Sequence, residues 1–117
     1  MLELNHKKLD VWQKSIRLVT NIYALTEKFP KTEVYGITSQ MKRAAISVSS
    51  NISEGASRFS KKERKRFYEI TRSSLVELDT QLEISINLNF LTEDNEEEIS
   101  KKINIVFAML SNLIKNT

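Results

Sequence analysis

The chain has 117 residues, 40% hydrophobic and 28% charged, with 18 Lys plus Arg against 15 Asp plus Glu and a net charge of +3. That length buries one core and is too short for two ordinary domains, so residues 1–117 are read as a single domain. With no Cys, one His and two Gly, the chain lacks a disulfide frame, a thiolate or paired-histidine metal site, a cysteine nucleophile and a Gly-rich phosphate loop.

Helical periodicity is the main signal along the chain. In the first segment Leu9, Trp12, Ile16, Val19 and Tyr23 recur at steps of three and four, and this stripe is the expected core face of helix 1. Asn5 is placed to cap that helix, with Leu4 and Leu9 as a hydrophobic staple. Phe29-Pro30 ends it, because the residue before a proline is pushed out of the helical region. Thr32 is placed to cap helix 2, which carries Ile37, Met41, Ala45, Val48 and Ile52 and runs to about Gly55, expected in a left-handed C-terminal position. The small residues Ala44–Ser50 allow a neighbouring helix to come close. Ser60 and Glu63 read as a capping box opening helix 3, whose face is Phe67, Ile70, Ser74, Leu75, Leu78 and Leu82 and whose end falls near Phe90. After the acidic turn Thr92–Asn95, helix 4 repeats Ile99, Ile103, Val106, Leu110 and Leu113. No strand alternation competes. Four helices with short connections predict an all-α, antiparallel, up-down-up-down four-helix bundle.

Helix 1 carries a second apolar stripe, Val11, Leu18, Ile22, Leu25 and Phe29, and the two stripes together span about 200°, where a core face needs an arc a little over 100°. Helix 4 adds Ile105, Phe107, Met109 and Ile114 to its repeat. Excess apolar surface on two helices marks an interface. Self-association is therefore expected, through Val11, Leu18, Ile22, Leu25, Phe29, Ile105 and Met109.

Charge is distributed unevenly. Between Arg58 and Arg72 lie seven basic residues (Arg58, Lys61, Lys62, Arg64, Lys65, Arg66 and Arg72) and two acids, Glu63 and Glu69. The up-down topology brings Lys7, Lys8 and Lys115 to the same end, and leaves Glu93, Asp94, Glu96, Glu97 and Glu98 at the other. Cations in the first turns of a helix oppose its dipole, so helix stability does not account for those at the start of helix 3. A solvated face, phosphate binding and the docking of an acidic protein partner remain as readings.

The stretch Leu9-x-Val11-Trp12-Gln13, the run from Phe29-Pro30 through Gln40, Arg43-Ala44-Ala45 and Ser47-Val48 to Asn51-Ile52-x-Glu54-Gly55, and Ser74-Leu75-x-Glu77-Leu78-x-Thr80-Gln81-Leu82 resemble one family. It is that of the bacterial four-helix-bundle proteins encoded by intervening sequences in 23S ribosomal RNA genes. Ser49 stands where that family commonly has proline, and Ser73 where it has glycine. The resemblance implies a homopentamer. The chain is also similar to the accessory variability protein of diversity-generating retroelements, which implies a basic surface that binds nucleic acid and a reverse transcriptase. The motif residues Gln40, Arg43, Asn51, Glu54 and Gly55 are read as structural, since no nucleophile, oxyanion donor or metal ligand accompanies them.

The function expected from these observations is a non-enzymatic oligomeric bundle that binds RNA or DNA through Lys7, Lys8, Arg58, Lys61, Lys62, Arg64, Lys65, Arg66 and Arg72. The alternative is a scaffold that docks an acidic protein without touching nucleic acid. No cofactor and no metal are expected. The chain has no apolar run of the ~20 residues that a membrane span needs, nor the apolar stretch of a signal peptide at its start, so a cytoplasmic protein is expected.

Overall fold

Leu9, rather than Asn5, stands at the head of the first α-helix in the computed structural model, which describes residues 1–117. Asn5–Lys8 forms a separate 3-10 turn. The helices are α1 (Asp10–Thr26), α2 (Ile37–Ala56), α3 (Lys61–Asn87) and α4 (Glu93–Lys115), with a further 3-10 turn at Lys31–Glu33. Each helix packs on its chain neighbours, α4 closes back on α1, and the α2/α3 pair is the most extensive. The result is the expected antiparallel bundle, 44 × 27 × 20 Å.

The predicted apolar faces of α2 and α4 fill the core except at their ends, where Ile37 and Leu113 are half-buried and Ile114, expected as excess apolar surface, is buried instead. Met41, Ala45, Val48 and Ile52 meet Ile99, Ile103, Val106 and Leu110 there, with Leu75, Leu78 and Leu82 of α3. In α1 the two stripes are exchanged. Val11, Leu18, Ile22, Leu25 and Phe29 are all buried, Leu18 at 1% and Ile22 at 0% exposure, whereas Ile16 and Tyr23 are each 39% exposed. The five residues expected at an interface are therefore core. Both stripes satisfy the helical period, but their polar atoms differ. A buried indole or phenol must find a hydrogen-bond partner. Trp12 takes an edge position where its Nε1 donates to Ser53 Oγ at 2.9 Å, and Tyr23 sits at the surface with the Lys42 ammonium 4.6 Å from its ring centroid. The stripe without polar atoms goes inside. Of the two interface candidates on α4, Ile105 is exposed and Met109 half-buried against the core.

Serines stitch α2 to both neighbours. Ser15 and Ser49 hydroxyls lie 3.0 Å apart in the α1/α2 seam, and Ser47 and Ser74 hydroxyls 2.9 Å apart between α2 and α3. At Gly55 the helix is still regular, and neither glycine has a positive φ, so the expected left-handed cap is absent. Gly55 serves close approach instead: a Cβ there would fall 2.7 Å from Tyr68 Cε1 and 3.1 Å from Phe67 Cβ. That space lets Tyr68 turn inward, to 3% exposure, in place of the predicted Phe67 and Ile70.

The ends differ from expectation in similar ways. α1 stops at Thr26, and α2 opens at Gly36–Ile37 with no side-chain cap, so Thr32 caps nothing. α3 stops at Asn87, and Asn89 takes φ 62°. Its N–H reaches Ile86 O at 2.9 Å while Phe90 N–H reaches Ser85 O at 2.9 Å, the paired bonds of a Schellman ending with Asn in the glycine role. Gln81 is the one buried side chain with an orphan: its Nε2 reaches Glu77 Oε1 at 3.2 Å and its Oε1 has no donor.

Candidate nucleic-acid interface

The basic end is built around the α2–α3 corner, Ser57–Ser60. Ser60 Oγ accepts the Glu63 N–H at 3.0 Å, which fixes where α3 begins. The Glu63 carboxylate does not return to Ser60 but pairs with Arg66 at 3.3 Å, so only the hydroxyl half of the expected capping box forms. On the first two turns of α3, Lys61, Lys62 and Lys65 are exposed, and no carboxylate bridges any of them. Their charges are available to a ligand.

The arginines of the cluster divide by role. Arg58 pairs with Glu54 at 3.1 Å, both partly exposed, and pairs of that kind are worth well under about 1 kcal/mol. Its guanidinium also lies 4.8 Å from the Phe67 ring centroid, and that of Arg66 lies 5.4 Å from the same ring. Phe67 is thus a half-buried platform that positions two cations, a role its place in the apolar repeat does not suggest. Arg64 faces the other way. Its Nη1 donates to Arg58 O at 3.0 Å and to Phe59 O at 2.7 Å, so it braces the corner instead of standing free like the lysines. Arg72 is half-buried and lies about 16 Å along α3 from Lys61 at 1.5 Å per residue.

Topology brings Lys7, Lys8 and Lys115 to this end, and the Trp12–Ser53 bond ties the start of α1 to the end of α2. Lys8 and Lys115 are exposed; Lys7 is half-buried, its Nζ donating to the Leu2 carbonyl. Beneath the cluster, burial pushes the Tyr68 hydroxyl above its ordinary pKa, and the nearby Arg64 charge opposes part of that rise. Phe59 lies between Arg58 and Ser60 with its ring fully exposed. Sequence reasoning passed over it, and its only signal is an aromatic residue outside every apolar repeat, in a turn flanked by cations.

The family-motif residues do not converge. Asn51 Nδ2 donates to Ser47 O at 2.8 Å and Ser47 Oγ at 2.9 Å, which supports the Ser47–Ser74 bridge. Glu54 holds Arg58. Gln40 and Arg43 are exposed, and Arg43 has no carboxylate partner. No three His, Asp or Glu side chains cluster as a cation site would require. The concave surfaces are open grooves between helices, such as that of α1 and α4 lined by Lys14, Arg17, Asn21, Lys102 and Ile105. No helix is long and apolar enough to cross a membrane.

Fold and surface together define an antiparallel four-helix bundle with a basic end and an acidic end. The family model of the 23S rRNA-intervening sequence protein matches residues 7–112, and the chain belongs to that family. Among solved structures it is similar to a protein of unknown function from the S23 ribosomal protein family of Bacteroides thetaiotaomicron. The two share 22% identity over 90% of this chain and 95% of that one, with a TM-score of 0.84. At that identity the likeness carries the fold alone. No curated protein matches.

Proposed function

We propose that this protein is a non-enzymatic, self-associating bundle of the cytoplasm that binds RNA or DNA through phosphate contacts at its basic end. The observation that carries this reading is the placement of Lys61, Lys62 and Lys65: exposed, unpaired and on helical turns whose dipole opposes them. Phosphates would reverse that penalty, since a cation there neutralises backbone charge and releases counterions without reading sequence. The resemblance to the retroelement accessory protein supports the same reading and would add a reverse transcriptase as a protein partner.

Self-association rests on the face that the stripe exchange leaves outside. Ile16 and Tyr23 of α1 are exposed, with Trp12 and Val19 half-buried beside them; Tyr23 also shares a shallow groove with Val34, Tyr35 and Ile46. An apolar surface of that continuity favours contact with other copies, and five is the number implied by the family resemblance. Light scattering at micromolar concentration is expected to give a multiple of the chain mass, reduced to the monomer by Ile16→Glu with Tyr23→Glu.

Fluorescence anisotropy with unrelated RNA and DNA oligomers, across a salt series, tests the main reading. Binding is expected at low salt, with log K falling linearly in log salt. Replacing Lys61, Lys62, Lys65 and Arg66 by Glu is expected to weaken it by about a hundredfold or more. Absence of binding at low salt, or indifference to the four replacements, defeats the reading. A protein partner retained after nuclease treatment would instead favour a scaffold that docks an acidic protein.

A further inference from the structure

We infer that Phe59 is a base-stacking residue, and that the ligand of the basic end is single-stranded nucleic acid rather than duplex. This rests on the phosphate-binding reading above and narrows its substrate.

The corner that carries Phe59 is pinned on both sides. Arg58 N–H bonds to Gly55 O at 3.1 Å, Arg64 Nη1 holds the carbonyls of Arg58 and Phe59, and Ser60 caps α3. The backbone is held while the ring is left wholly in water. A Phe side chain gains free energy on burial, and no bundle residue covers this one. The neighbouring residues indicate the kind of ligand that would. Arg58 precedes it, and Lys61, Lys62 and Lys65 come after it on the first turns of α3, all exposed. A ligand that lays a flat apolar face on the ring must also bring negative charge to the rim.

Single-stranded nucleic acid supplies both, a nucleobase plane and its flanking phosphates. A duplex supplies the phosphates but keeps its base faces stacked inside. Stacking on an aromatic ring tolerates any base, because every base has a π face, and is worth about 1–3 kcal/mol per base. Phe carries no polar atom with which to read a base edge, so the contact adds affinity for unpaired strands without sequence preference.

The test is anisotropy at low salt with a short oligothymidylate, a short oligouridylate and a DNA duplex of the same length, for the wild-type chain, Phe59→Ala and Phe59→Trp. Phe59→Ala is expected to weaken both single strands by roughly fivefold to a hundredfold, with duplex affinity and the salt slope unchanged. Because the ring touches no core residue, the melting temperature should not move. Phe59→Trp should keep single-strand affinity, and its emission should be quenched when an oligomer is added. Equal losses on single strand and duplex, unchanged single-strand affinity, or unquenched emission would each overturn the inference. So would a fall in particle mass for Phe59→Ala by light scattering, which would assign the ring to a contact between copies. Should the wild-type chain bind none of the three probes, the phosphate reading falls and takes this one with it. If wild-type binding persists unaltered in Phe59→Ala, only the role of Phe59 falls.

Discussion

The first turn of α3 and the first turn of α4 are capped alike. In each, a hydroxyl just outside the helix accepts the N–H three residues on, at 3.0 Å from Ser60 and 3.2 Å from Thr92. Immediately past the cap the charges are opposite: Lys61 and Lys62 in α3, Glu93 and Asp94 in α4. In α4 the acids sit where the helix dipole favours them, each contributing about 0.3–1 kcal/mol. In α3 the lysines have the reverse effect, and the cap does not need them. Equal capping with unequal charge separates the residues a helix needs from those its sequence carries for another reason.

The largest expected effect breaks this comparison from the α3 side. Reversal of Lys61, Lys62 and Lys65 to Glu should strongly weaken nucleic-acid binding while leaving the melting temperature unchanged or raised, because no carboxylate pairs with these lysines and glutamates suit the first turn of a helix. A thermal melt beside the binding titration checks both halves. A marked fall in stability would mean that the lysines support the fold after all.

Next in size is the contact that seats the basic corner. Gly55→Ala places a methyl group 2.7 Å from the Tyr68 ring, and overpacking of this kind costs about 1–3 kcal/mol, against a gain near 1 kcal/mol from helix propensity. A net loss is expected in chemical denaturation. Smaller again is the α4 counterpart. Glu93→Lys with Asp94→Lys should lower stability by about 1 kcal/mol through the dipole and leave oligonucleotide binding no weaker.

Much of the bundle is legible in the sequence because periodicity and polar chemistry agree there. The core repeats of α2 and α4 are apolar on one face, with no competing stripe that carries hydrogen-bonding atoms. In α1 they disagree. Two stripes share one period, and the choice falls on where an indole N–H finds an acceptor and a phenol can stay at the surface: Ser53 of the neighbouring helix α2 accepts from Trp12, and Tyr23 remains exposed with the Lys42 ammonium over its ring. Gly55 misleads for a related reason: a glycine near a helix end suggests a left-handed cap, while its actual use is set by Tyr68 across the α2/α3 seam. The basic cluster is visible as composition. Its internal division, with Arg64 turned back on the corner and Arg58 and Arg66 on Phe67, depends on contacts between two helices and cannot be read from spacing.

The same seam gives the smallest and most local effect, confined to alkaline pH. Burial raises the Tyr68 pKa, with Arg64 working against it, so the folded chain holds that phenolic proton more firmly than the unfolded chain, which releases it near pH 10. Where the unfolded state has lost the proton and the folded state keeps it, stability falls with rising pH. The contribution of Tyr68 is therefore complete below about pH 10 and declines from there until the folded-state pKa is passed. The useful quantity is the difference between the wild-type chain and Tyr68→Phe. That difference should be flat up to the onset of tyrosine ionisation and then grow in favour of Tyr68→Phe. Replacing Arg64 by Gln in the wild-type background should steepen the decline, since the charge that moderates the shift is gone. A decline that ignores both substitutions would place the alkaline sensitivity outside the α2/α3 seam.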